Sequence, residues 1–167
     1  MGDMIRILGV DPGLRVTGWG VIAMDGPRLT WIAHGVVAPD PEADMADRLA
    51  LLAEGLRAVI HDHEPHEAAV EETFVNINPR STLLLGQARG VVLATLAAAQ
   101  LKVAEFAARK VKQSVVGTGA ADKAQVAFMV RRVLRKPGEA SADASDALAV
   151  AICGAHHRPV AQQRLKA

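Results

Sequence analysis

Three acidic positions in this chain are placed so that they could do chemistry together. Asp11 closes the apolar run Ile5–Val10 and is followed at once by Pro12-Gly13, which cannot continue a strand. A carboxylate there either opens a turn or faces the crevice at a strand's carboxyl end, where open α/β sheets keep their ligands. Glu71 or Glu72 ends the short run EAAVEETF; neighbours in a strand point to opposite faces, so only one of them can join Asp11. Asp143 and Asp146, in SADASDALAVAICGA, are three residues apart and share a helix face. Asp143 also has a plainer role open to it, as an acid in a first helical turn behind a Ser141 cap. Asp146 lies beyond that turn, on an alanine-rich surface suited to tight packing, where a carboxylate is costly unless paired or bound to metal.

Carboxylates converging without histidine or cysteine suit hard, oxygen-liking cations, Mg²⁺ or Mn²⁺, rather than zinc. Two such ions about 3.5 to 4 Å apart cleave phosphodiesters, one activating water and the other stabilising the leaving oxygen.

The elements that must hold these groups follow from periodicity. Ile5–Val10 reads as a buried strand, and TGWGVIAMDGPRLTWIAHGVV as two more joined by an Asp25-Gly26 turn. Met45, Leu49, Leu52, Leu56 and Ile60 are at helical spacing between Asp44 and His63, and Pro65 stops that helix. EAAVEETF is a short strand; a long helix capped by Asn78 or Ser81 runs to about Gln100; LKVAEF is a further strand. Helices then cover about Asp122 to Leu134 and Ser141 to His156, giving the order β-β-β-α-β-α-β-α-α.

The 167 residues are half hydrophobic, enough for one sizeable core and no more than one domain, 1–167. Short, charge-broken apolar runs and the lack of a signal-like N-terminus lead us to expect a cytoplasmic protein without a membrane partner. The lone Cys153 excludes an internal disulfide, and no Cys/His spacing suits zinc. With no tyrosine and few other aromatics, we do not expect a binding surface built on rows of stacking rings, and one or two aromatic wedges stay open. The net charge of +1 hides a segregation: from 37 to 72 there are ten acidic residues against two basic, whereas from 109 to 136 there are eight basic and only Asp122 acidic. The basic block is either a polyanion-binding surface or a pair of solvated helix faces.

Nucleotide motifs fail. GTGAADK has Asp122 where a phosphate loop needs glycine and no Ser or Thr after Lys123, while GWG and GTG lack the rest of a dinucleotide fingerprint.

Taken together, ILGVDPGLRVTGWGVI, AVEETF, LGQARGVV, ARKVKQSVVGTGAADKAQV and ADASDALAVAI resemble the RuvC family of Holliday-junction resolvases, over about residues 5–155. The resemblance implies an α/β ribonuclease H-like fold, with a mixed central sheet of about five strands flanked by helices. It implies metal-dependent paired nicking of four-way DNA junctions in recombination and repair, with two Mg²⁺ per active site, replaceable by Mn²⁺. Asp11, Glu71, Asp143 and Asp146 match the family's acidic positions, the third of which is histidine in some members. Lys112 and Lys123 match its two lysines, which offset charge near the scissile phosphate. Phe74 matches an aromatic used near the bases at the junction centre. With Arg80, Arg89 and Lys110, these two lysines and Phe74 make up the expected DNA contacts. Implied partners are a second copy and the RuvA and RuvB branch-migration proteins. Our candidate contact for the second copy is the long helix from about Ser81 to Gln100, whose LLLGQARGVVLATLAAA has more apolar and small residues than one sheet face needs; the other reading of it is a helix fully buried within the monomer. Two other readings stand beside this one: a catalytically dead junction-binding module, which would lack a carboxylate, and a sugar-kinase or actin-like ATP-binding domain, which would need a second such domain to clamp ATP.

Overall fold

The computed structural model describes residues 4–72, 77–135 and 138–159. Along the chain run β1 (Ile5–Asp11), β2 (Thr17–Asp25), β3 (Arg28–Val37), α1 (Met45–His63), β4 (Glu67–Glu71), α2 (Pro79–Ala98), β5 (Lys102–Phe106), α3 (Ala108–Val116), α4 (Lys123–Leu134) and α5 (Ala142–His156). The strands form one mixed sheet of order β3-β2-β1-β4-β5. The first three form an antiparallel meander, turned between β2 and β3 at Gly26, whose φ of +55° favours glycine. β4 and β5 are parallel to β1. Connections between parallel strands must cross over a face of the sheet, which α1 and α2 do.

Side chains alternate across β1. Leu8 and Val10 join Val70, Leu52, Leu56 and Val92 on the face covered by α1 and α2, while Ile7 joins Phe106, Val111, Val130 and Leu148 under α3, α4 and α5. The acidic stretch carried by α1 and the basic stretch carried by α3 and α4 therefore lie on opposite faces of the sheet.

Helix ends follow local chemistry. Asn78 rather than Ser81 caps α2, its side chain accepting from the N–H groups of Arg80 and Ser81, with Pro79 in the first turn. Asp122 and Gln125 form a reciprocal capping box on α4. Ser141 Oγ accepts from Ala144 N–H on α5.

One feature differs from expectation. The order contains one more helix, α3, in ARKVKQSVV. Val111 and Val115, four apart, are its buried stripe, and the basic residues that dominate the stretch project outward. The long helix α2 is buried along one side only, as a helix kept for a second copy would be. Ala88, Val92, Thr95 and Leu96 are buried, but Leu83 stays 64% exposed and a side chain built on Gly86 or Gly90 would meet nothing.

Candidate active site

β1 and β4 are parallel neighbours with Val10 opposite Val70, so their last residues, Asp11 and Glu71, emerge side by side at one sheet edge. The two carboxyl groups hydrogen-bond each other. Glu72, the next residue, is exposed; its N–H donates to the Phe106 carbonyl and continues the ladder toward β5. The opposed faces expected for this pair are thus what β4 shows, and Glu71 is the one turned to Asp11.

The third group arrives from α5. Every residue from Ala144 to Ala155 in this helix is buried except Asp146, which remains part-exposed at 25% of its side-chain surface. It opens into a cleft of about 350 Å³ walled by Asp11, Glu71, Lys112, Lys123 and Leu85. Lys123 Nζ lies 3.5 Å from Asp146 Oδ2. Asp143, one turn earlier, adds its field to both Asp11 and Asp146 without lining the cleft. Its backbone carbonyl rests on Gly18 of β2.

Burial and mutual repulsion hold these acids above their ordinary range. Desolvation, then the Glu71 carboxylate, then Asp146 and Asp143 push Asp11 up to about 8. Glu71 is raised by burial, partly offset by its hydrogen bond from Asp11 and by the two lysines. Burial also raises Asp146, against the pull of Lys123. Carboxyl groups crowded until one keeps its proton near neutral pH form a site that gains from a multivalent cation.

The donor set is entirely carboxylate oxygen, which suits Mg²⁺ or Mn²⁺ and not zinc. Among the described residues no three acidic, imidazole or thiol groups stand close enough to hold one ion as they are; the lysine on Asp146 supplies counter-charge there instead. Asp11, Glu71 and Asp146 fit the metal in chemistry and line one cleft. The lysines come from elements meeting at the cleft: Lys112 from α3, Lys123 from the first position of α4.

Other expected contacts fall elsewhere. Arg89 is bound to Glu105 of β5 through Nη2, while its Nε is buried without a hydrogen-bond partner. Lys110 sits 5.7 Å over the Phe106 ring, outside the cleft walls. Arg80 is exposed in the first turn of α2. Phe74 lies outside the described residues.

One supporting residue lies outside the sequence-predicted set. Thr17, fully buried, accepts at Oγ1 from Gly13 N–H (3.1 Å) and donates to the Gly13 carbonyl (2.6 Å), closing the loop that follows Asp11. The signal was Thr17 itself, a polar residue opening an apolar strand.

Comparison with known proteins converges on one group. Residues 7–154 match the family model described as crossover junction endodeoxyribonuclease RuvC. Two relatives described by the same words, from Hyphomonas neptunium and Caulobacter vibrioides, are 58% and 59% identical over 164 and 160 residues. These alignments cover 98% and 96% of this chain and 98% and 94% of the relatives. Among solved structures, Thermus thermophilus RuvC in complex with a Holliday junction substrate superposes with a TM-score of 0.84 at 31% identity, over 90% of this chain and 93% of that one. The yeast mitochondrial Holliday junction resolvase Ydc2, at 12% identity and a TM-score of 0.65 over 95% of this chain and 86% of that one, shares the fold.

Proposed function

This chain belongs to the RuvC family of crossover junction endodeoxyribonucleases, and from that premise we propose that it resolves four-way DNA junctions by paired nicks, with Asp11, Glu71 and Asp146 holding the metal and Asp143 tuning or joining the set. The observation that carries the reading is the convergence of β1, β4 and α5: three carboxylates from separate elements open into one cleft walled by two lysines. A dead junction-binding module has no use for such a costly cluster.

Bound there, two Mg²⁺, or Mn²⁺ in their place, would activate the attacking water and stabilise the leaving oxygen. The chain's own residues do the rest. Asp11 and Glu71 would hold the metal as deprotonated carboxylates, so the proton kept on Asp11 by burial and by Glu71 would have to leave. Lys123, with 81% of its side chain exposed and its ammonium on Asp146, is free to turn to the phosphate once Asp146 is otherwise engaged. Lys112 also lines the cleft and adds positive potential at Glu71 and Asp146, where it would offset charge developing on a bound phosphate.

A junction of two-fold symmetry needs two cuts, and one chain offers one cleft, so the active unit is a homodimer. The exposed face of α2 supports this: Leu83, Gly86, Gly90 and Ala94 lie along one stripe, and the open glycines let a second helix approach closely. By length and composition α2 could also cross a membrane, but Arg80 and Arg89 lie within it and Arg89 is paired to the sheet. The RuvA and RuvB proteins and a cytoplasmic location complete the proposal. Its test is cleavage of a labelled four-way junction with Mg²⁺, by the wild type and by Asp146→Asn. Cutting by the first and none by the second supports it; Asp146→Asn cutting at the wild-type rate refutes it.

A further inference from the structure

Three glycines of β1 and β2 face α5 at distances no side chain could occupy. A Cβ on Gly9 would stand 2.1 Å from the Ala147 carbonyl oxygen, one on Gly20 2.5 Å from Leu148 Cδ2, and one on Gly18 2.0 Å from the Asp143 carbonyl oxygen. Gly18 lies in extended strand, so close approach rather than backbone conformation requires glycine there. Gly9 and Gly20 pair with each other across the strands, whereas Gly18 pairs with Asp11. At Gly18 alone, then, the helix turn that carries Asp143 presses on the strand residue opposite Asp11.

The geometry has a consequence for the site. Asp11 and Glu71 are fixed by the register of β1 and β4, and Asp146 by where α5 rests on the sheet. The contacts at Gly9 and Gly20 seat the middle of α5; the contact at Gly18 seats its first turn. We propose that Gly18 is a positioning residue for junction cleavage, its missing side chain setting how closely Asp143 and Asp146 approach Asp11 and Glu71. This rests on the reading of the cleft as a cation site. An alanine here meets backbone and not a flexible side-chain tip, so the first turn of α5 must lift or tilt, carrying the carboxylates with it.

The test compares full-length wild type, Gly18→Ala, Ser141→Ala and Gly154→Ala. Mn²⁺ binding is measured by titration calorimetry without DNA, and folding by circular dichroism. Gly18→Ala is expected to weaken Mn²⁺ binding about tenfold or more and cleavage by about 100-fold, since a 1 Å misplacement suffices for the latter. Junction binding in EDTA should stay at the wild-type level. Gly154→Ala crowds the far end of the same helix, where its Cβ would stand 2.8 Å from Ala69 Cβ; it should leave Mn²⁺ affinity within about twofold. Ser141→Ala, which loosens the first turn by removing its cap, should weaken Mn²⁺ binding about threefold in a protein that folds. A folded Gly18→Ala with wild-type Mn²⁺ affinity overturns the proposal. If that variant does not fold, wild-type affinity in Ser141→Ala overturns it instead. Failure of the wild type to bind Mn²⁺ would refute the cation reading itself.

Discussion

Asp11→Asn should make the metal-free protein more stable, while destroying its activity. In the unfolded chain Asp11 titrates near 3.8, and in the folded protein it is raised to about 8. Between those values the folded state binds more protons than the unfolded one, so stability falls as pH rises through this window and levels off above about pH 8. At 1.36 kcal/mol per pH unit, the part of this window below pH 7 would correspond to about 4 kcal/mol lost. Only part returns on substitution. The Asn amide removes the desolvated charge and can still donate a hydrogen bond to Glu71, but Glu71 and Asp146 remain crowded. We expect a gain of about 2 kcal/mol at pH 8 in EDTA, or about 4 to 8 °C in melting temperature for a chain of this size. The gain should shrink to nothing toward pH 4. Melting curves by circular dichroism from pH 4 to 9 read it directly. Added Mg²⁺ should then raise the melting temperature of the wild type more than that of the variant, reversing part of the difference. An Asn variant no more stable than wild type at pH 8, or a gain that does not vary with pH, would refute the reasoning.

Further outcomes follow from the same structure. Asp146→Asn should abolish cleavage while gel-shift binding to a junction in EDTA stays at the wild-type level, because no basic group is removed. Lys112→Ala and Lys123→Ala should each lower the single-turnover cleavage rate, by about 10-fold or more if they stabilise transition-state charge, and any accompanying loss of binding should shrink as salt rises. Arg158→Ala should cost about 3 kcal/mol in urea unfolding, since it breaks a two-pronged pair with Glu67 at 2.9 and 2.7 Å and leaves that carboxylate part-buried and unpaired. Leu83→Asp combined with Gly90→Glu should give a light-scattering mass near 17.6 kDa where the wild type gives twice that, with paired cutting lost.

The strand ends and helix spans could be read from local chemistry because each is a local event. Pro12-Gly13 ends β1, Asp25-Gly26 turns β2 into β3, and Asp122 and Ser141 cap their helices whatever the rest of the chain does. Asp146 could be singled out because it interrupts an alanine face that had to pack tightly, and every other residue from Ala144 to Ala155 is indeed buried. Sheet order and register are long-range. Nothing near Asp11 tells that β4 lies beside it, nor which of Glu71 and Glu72 turns to it until the pairing of Val10 with Val70 is known. Helix α3 has a weak local signal because basic residues dominate its stretch, while only Val111 and Val115 carry its period. The pairing of Arg89 with Glu105 has no local signal either, since its partner lies on another element, 16 residues on. The contact of Gly18 with the Asp143 carbonyl joins elements more than a hundred residues apart and leaves no local pattern at all.

The decisive measurement is a single-turnover cleavage assay on a four-way junction labelled on both strands of like polarity, with a linear duplex of the same arms beside it. Wild-type protein with Mg²⁺ should cut both labelled strands of the junction, leave the duplex intact and stop in EDTA, and a mixed dimer with one Asp146→Asn subunit should leave a single nick. Equal cutting of the duplex, undiminished cutting in EDTA, or efficient paired cutting by the mixed dimer would contradict a metal-bearing cleft that serves one strand in each subunit.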